Sequence, residues 1–218
     1  MDVVLTAYSS LINVKSIFGL LSGIGTIYAF IPYIADTLNN RTQPQRASWL
    51  IWSVLGSIAF FAQLYEGASA SLWFVAAQVS GTIIVFVLSI RCGSGVYLKS
   101  SDYWILCAAA VGLVLWFFAE TATYSLMITI TISLLGGSIT VVRAFKNPDG
   151  ETLSTWVIFL MSSVCALFSV GAMNPTLLAY PMYLCVLYSA IVIAILLGRL
   201  IEREIVLRHK TTVVDIQL

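Results

Sequence analysis

Seven apolar runs, separated only by short connections, govern what this chain can fold into: Ile17–Leu38, Ser48–Tyr65, Ser71–Ile90, Tyr103–Ala119, Tyr124–Ala144, Thr155–Ala172 and Leu177–Leu200. A helix rises 1.5 Å per residue, so about 20 residues cross the roughly 30 Å hydrocarbon core of a bilayer. Backbone groups find no water there, so runs of this length span as helices, which satisfy themselves internally. Composition excludes a soluble alternative. The chain is 60% hydrophobic and 10% charged, with a mean hydropathy of +0.96, whereas soluble domains sit near 45–50% and about 25%. The expectation is an all-α integral membrane protein of seven transmembrane helices.

Met1–Asn13 lacks a basic start and a small-residue cleavage site, so the first span is expected to serve as targeting signal and permanent helix. Positive charge sorts cleanly across the connections. Arg41, Arg46, Arg91, Lys99, Arg143, Lys146, Arg199, Arg203, Arg208 and Lys210 fall on one side and Lys15 on the other. Cytoplasmic loops retain Lys and Arg, so this predicts an external N-terminus and a cytoplasmic C-terminus, with the plasma (inner) membrane the expected location.

An internal repeat organises the chain. A shift of 107 positions places Asn40 on Asn147, Trp49 on Trp156, Ile51 on Ile158, Ala59 on Ala166, Phe61 on Phe168 and Val79 on Val186, without a gap. Units of three helices keep the same orientation only if one further crossing joins them, and Tyr103–Ala119 supplies it. The expected plan is a 3+1+3 parallel repeat. Residues 1–95 form the first unit, 96–121 the linker helix, 122–201 the second unit and 202–218 a cytoplasmic tail.

The stretches Ile31-Pro32-Tyr33-Ile34, Asn39-Asn40-Arg41-Thr42 and Ser48-Trp49-Leu50-Ile51-Trp52 resemble the PQ-loop pattern of the SWEET superfamily. There, a Pro near the inner end of the first helix precedes a short polar loop and a second helix bearing Ser and Trp. The Trp-Leu-Ile-Trp run is also similar to the Pnu-type vitamin transporters, which share that architecture. Tyr33 stands where the pattern has Gln, Ile139 is the repeat partner of Pro32, and the second and sixth spans hold no Pro. The resemblance implies alternating access, with one unit rocking against the other, and an amide at about the depth of Gln78.

Polar side chains in hydrocarbon mark a protein interior or cavity. Ser71, Gln78, Thr82 and Ser89 fall on one face of the third span, and Thr129, Ser133, Gly136 and Thr140 on one face of the fifth. Ser22, Thr26 and Tyr33 repeat the fifth-span positions, and Ser189 repeats Thr82. These hydroxyls either line a path or allow close helix packing. Gln78, whose partner is Cys185, brings an amide to mid-span and reads as a substrate contact or an interhelical hydrogen bond. Trp52 with Phe159, and Phe61 with Phe168, are repeat-related aromatics suited to flanking a flat or sugar-like solute. Trp49 and Trp156 read as interfacial anchors, and Tyr188 lies one turn from Cys185.

The expected substrate residues are therefore Thr26, Trp52, Phe61, Gln78, Thr82, Ser133, Phe159, Phe168, Cys185, Tyr188 and Ser189. A gate is expected at Pro32, Tyr33, Asp36, Thr140 and Arg143, where the repeat equivalents Asp36 and Arg143 carry opposite charge.

The four cysteines form no CxxC pair and the single His209 lies in the tail, so no metal centre or cofactor is expected. A net charge of +1 without a basic cluster argues against nucleic acid. No nucleophile–base set appears, the chain reads as no enzyme, and the seventh span has no Lys for a retinal Schiff base. All acidic residues fall at or beyond span ends, so no buried proton-accepting carboxylate is expected. The reading is a facilitative transporter (a uniporter) of a small polar metabolite such as a sugar or vitamin. The alternative is a ligand-binding receptor on the same scaffold, as in the KDEL receptors. The bilayer and a small-molecule substrate are the expected partners, and a homo-oligomer is left open.

Overall fold

The computed structural model describes residues 2–92, 122–171 and 174–216, with residues 103, 104, 107, 110, 111, 114, 117 and 118. Its elements are the helices α1 (Asp2–Leu38), α2 (Arg46–Tyr65), α3 (Leu72–Cys92), α4 (Ala122–Lys146), α5 (Leu153–Ser169) and α6 (Pro175–Ile216), with a 3₁₀ turn at Pro148–Gly150. No strand occurs among the described residues. The linker span expected at Tyr103–Ala119 lies mostly outside them, although Tyr103, Trp104, Cys107, Ala110, Val111, Val114 and Phe117 are helical.

Among the described residues, five helices are long and apolar enough to cross a membrane, over Val14–Leu38, Ser48–Tyr65, Leu72–Cys92, Leu126–Lys146 and Pro175–Ile205. The apolar α5 is shorter. Its 17 residues rise about 26 Å at 1.5 Å each. Helix α6 runs on to Ile216, so most of the expected tail continues the last helix.

Local chemistry sets the ends. Asn40 takes a left-handed conformation (φ 57°) and lets the Arg41 amide bond back to Asp36 O at 2.8 Å, closing α1; Asn is among the few residues that tolerate this. Gly67 (φ 78°) does the same for α2, where the Ala68 amide reaches Gln63 O at 2.9 Å. Pro175 opens α6, a position where its missing N–H costs nothing, and Asn174 Oδ1 accepts the Thr176 amide at 2.9 Å.

Polarity is inverted relative to a soluble bundle. Ile17, Leu20, Ile24, Ile27 and Ile31 of α1 face outward, exposed, while Ser22, Thr26, Gln78, Thr82, Thr129 and Ser133 are buried. An apolar outer surface with hydroxyls and amides inside suits hydrocarbon as the surrounding solvent, and the arrangement is consistent with an integral membrane protein.

Helix packing follows a twofold pattern. α3 packs on both α1 and α2, and α6 packs on both α4 and α5; across the halves, α1 packs on α5 and α4 on α2. Exchanging α1, α2 and α3 for α4, α5 and α6 reproduces every one of these neighbours. The loops after α1 and α4 meet at one end, where Thr42 and Thr152 hydroxyls lie 2.7 Å apart. At the other end Lys15 Nζ donates to Gly171 O at 2.9 Å.

Candidate functional site: an aromatic cavity between the two halves

Where the two halves face each other they enclose a cavity lined by Trp49 and Trp52 (α2), Gln78 and Thr82 (α3), Ser133 (α4), Trp156 and Phe159 (α5), and a stripe of α6. That stripe is Tyr180, Tyr183, Leu184, Leu187 and Tyr188, spaced 3, 1, 3 and 1, so that one helical face points inward. The enclosed volume is about 20 Å³, room for one water molecule. A solute larger than water enters only if the halves part.

The rings form a connected set. Trp52 lies edge-on to Trp49 at 5.3 Å and to Trp156 at 6.4 Å, and Tyr188 stacks on Phe159 at 5.2 Å with 23° between planes. Four polar atoms among these groups are buried with no hydrogen-bond partner among the described residues: Trp52 Nε1, Gln78 Oε1 and the hydroxyls of Tyr183 and Tyr188. Tyr183 OH interacts with Ser133 and Trp52, and Tyr188 OH with Gln78, though none of these contacts reaches the geometry of a well-formed hydrogen bond. Buried polar atoms without a well-formed hydrogen bond cost about 1–3 kcal/mol each, and four of them gather around this one space. Among the described residues, no Asp, Glu, Lys, Arg or His lines it.

The structure brings six of the expected substrate residues together here, namely Trp52, Gln78, Thr82, Ser133, Phe159 and Tyr188. Thr26 is buried, but its hydroxyl donates to Ser22 O at 2.7 Å and it does not line the cavity. Ser189 donates to Cys185 O at 2.8 Å, and both sit on the flank of the α6 stripe. Phe61 and Phe168 face away, 63% and 62% exposed. Each follows its inner aromatic by nine residues, two and a half helical turns, which puts it on the opposite side. Phe61 lines an outer groove between α2 and α3, and Phe168 packs on Phe18.

Trp49 and Trp156 are not interfacial anchors: they are 3% and 1% exposed and floor the cavity. The α6 residues Tyr180, Tyr183, Leu184 and Leu187 escaped the sequence reading, although their i, i+3, i+4, i+7 spacing carries the signal. Repeat symmetry pointed elsewhere because the halves differ here. In the first, Phe30 of α1 fills the space over Gly81 of α3, where an added Cβ would strike the ring. In the second, the equivalents are Gly137 and Tyr188, with the large residue moved to the third helix.

Beneath the floor lies the end carrying the α1–α2 and α4–α5 loops. Tyr33, 1% exposed, packs its ring on Trp49 at 5.0 Å and on Trp156 at 6.2 Å. Pro32 lies within α1 and removes the donor to the Tyr28 carbonyl, a local weak point in that helix. Thr140 is buried. Asp36 accepts a hydrogen bond from Thr152 Oγ1 at 2.7 Å, and Thr152 also meets Thr42 at 2.7 Å, so a polar clasp joins the halves. Arg143 acts on a different acid, Glu151. That residue does lie outside the spans, but it is 6% exposed, which corrects the expectation of no buried carboxylate. Its Oε2 accepts the Trp156 indole N–H at 3.1 Å. Burial pushes its carboxyl up to about 7, against the Trp156 hydrogen bond and the Arg143 charge, which pull it down.

No known protein family, characterised protein or solved structure matches the chain.

Proposed function

We propose that the chain is a facilitative transporter for a small, neutral, ring-bearing polar solute, working by alternating access between two three-helix units. The observation that carries this reading is the set of four buried polar atoms without a well-formed hydrogen bond around an aromatic cavity with no charged residue among its described lining, at the junction of the halves. A solute with hydrogen-bonding edges would satisfy Trp52 Nε1, Gln78 Oε1 and the two tyrosyl hydroxyls, and its ring would lie among Trp52, Trp156, Phe159 and Tyr188. A charged solute would enter unpaired, at a desolvation cost the site does nothing to offset.

The twofold packing supports a 3+1+3 parallel repeat, with the 96–121 segment as linker and the SWEET-like pattern at Pro32–Trp52 as its sequence counterpart. The closed floor of Trp49, Trp156 and Tyr33 and the Asp36–Thr152 clasp form one gate. That end also carries Arg46, which bonds the last carbonyls of α3, and the Arg199–Asp149 pair. By the positive-charge bias of inner loops it is the cytoplasmic end.

Selective solute binding raises apparent stability by RT ln(1 + [L]/Kd), about 2.7 kcal/mol at one hundred times Kd. Screening the purified chain by thermal unfolding against neutral sugars, nucleosides and vitamins tests the proposal. Gln78→Leu should remove the shift given by any hit while the unliganded protein stays folded. Gln78→Leu protein that still binds the hit with wild-type affinity would show the amide to be structural.

A further inference from the structure

Glu151 is the one carboxyl in the described structure that is both buried and set against the cavity floor. Its neighbours come from several elements: Tyr33 and, through Thr152, Asp36 from α1; Arg143 from α4; and Trp156 from α5. Asp149, on the same loop, is turned to Arg199 of α6 at 3.5 Å. Arg46 of α2 is turned to the Ser89 carbonyl at 2.8 Å. Arg143 is thus the cation whose charge reaches Glu151. One side of the carboxyl holds the Trp156 N–H, and the ring of that same Trp closes the cavity against Trp52, Phe159 and Tyr188. The clasp residue Thr152 is its chain neighbour. Any opening of this mouth that parts Thr152 from Asp36 and lifts Trp156 carries Glu151 towards water.

We propose that Glu151 is the proton sensor of a pH-operated latch: in its protonated form it stays buried beneath Trp156 with the mouth shut, and ionisation favours the open mouth. The device regulates the gate of the proposed transporter and rests on that reading for its purpose, though its operation requires no solute. Glu151 faces one mouth only and no carboxylate among the described residues lines the cavity, so the proton binds and leaves on the same side. This is gating rather than proton-coupled transport.

The direction and size follow from linkage. A carboxyl that titrates near 4.5 in water and about 7 when buried holds its proton more tightly in the closed mouth. Closure is therefore favoured at low pH, weakens as pH rises through this interval and levels off above about 7. Two and a half pH units between the states make the full change roughly 300-fold in the closed-to-open ratio, of which about tenfold falls between pH 6 and pH 8.

The test is backbone hydrogen exchange on the full chain in lipid nanodiscs, without solute, with each rate divided by its intrinsic pH-dependent value. The Gly150 amide, bonded to Asn147 O at 3.1 Å, and the Thr155 amide, bonded to Thr152 O at 3.1 Å, report on the mouth. The Leu178 amide at the far end is the control. Opening at Gly150 and Thr155 should rise about tenfold from pH 6 to pH 8 in the wild type and stay flat in Glu151→Gln. A wild type with flat corrected exchange, or Glu151→Gln with wild-type pH dependence, overturns the proposal. Should Glu151→Gln not accumulate as folded protein, Trp156→Phe decides: loss of the indole donor should move the midpoint to higher pH, and an unmoved midpoint overturns the latch. A failed solute screen leaves this result intact, and a flat exchange profile leaves the solute screen intact.

Discussion

Gly81→Ala is the perturbation whose cost the structure fixes most tightly. The new methyl would fall on the ring of Phe30, so the ring has to move. Inward it is blocked by Phe159 at 4.8 Å and Trp49 at 6.4 Å. Outward it borders the groove between α1 and α3, a space of about 490 Å³, and it can swing there only by giving up both ring contacts. Aromatic contacts contribute about 0.5–1.5 kcal/mol each and overpacking typically costs about 1–3 kcal/mol, so the loss should be about 2 kcal/mol. Phe30→Leu alone should lose a comparable amount through its missing ring contacts. In Gly81→Ala with Phe30→Leu, however, the shorter side chain clears the methyl. The double variant should therefore be more stable than the sum of the singles predicts, by about 1–2 kcal/mol, in reversible unfolding followed in one detergent. Additivity within about 0.5 kcal/mol would refute the packing of Phe30 over Gly81, and with it the account of why the two halves differ.

Thr152→Val removes the donor to Asp36 and the partner of Thr42; the partly exposed clasp should weaken by about 1 kcal/mol. Maleimide labelling of Ser133→Cys, in a background without the four native cysteines, should then speed up roughly fivefold, and an unchanged rate would show that the clasp does not hold the mouth. A reporter fused after Leu218 should lie in the cytoplasm and one inserted near Asn174 outside. Reporters read out on the opposite sides would reverse the assignment of the two mouths.

Helices α1 to α6 were legible because their signal is hydrophobic length, which needs no knowledge of neighbours, while the linker span expected at Tyr103–Ala119 lies mostly outside the described residues. The buried polar stripes were legible too. Gln78 and Thr82 on α3, and Ser133 on α4, point inward as their spacing requires, since lipid disfavours hydroxyls and amides on the outer face. What escaped depended on rotation and on differences between repeats. Phe61 and Phe168 were grouped with Trp52 and Phe159 as repeat-related aromatics, although nine residues turn a helix by half a revolution beyond two full ones. Trp49 and Trp156 sit at helix ends, where Trp usually marks the interface; only the fold reveals that Tyr33 and Glu151 cover them from below. Glu151 itself looked like a loop acid, because sequence places it outside the spans and nothing local reports that α1 and α4 close over it. Cys185 and Ser189 were chosen as partners of Gln78 and Thr82, whereas the cavity turns on Tyr188, whose partner is Gly81.

The central claim is that the cavity between the halves carries a neutral polar solute across the membrane. Its most direct test is uptake of a labelled hit from the thermal screen into proteoliposomes holding the wild type, Gln78→Leu or Tyr188→Phe. Saturable uptake that runs in either direction down the solute gradient is the predicted result, with a loss of about tenfold or more in each variant, as expected when a hydrogen bond of about 1.4 kcal/mol is removed. Binding without any uptake would contradict transport and leave a receptor, and uptake equal in wild type and both variants would contradict this cavity as the route.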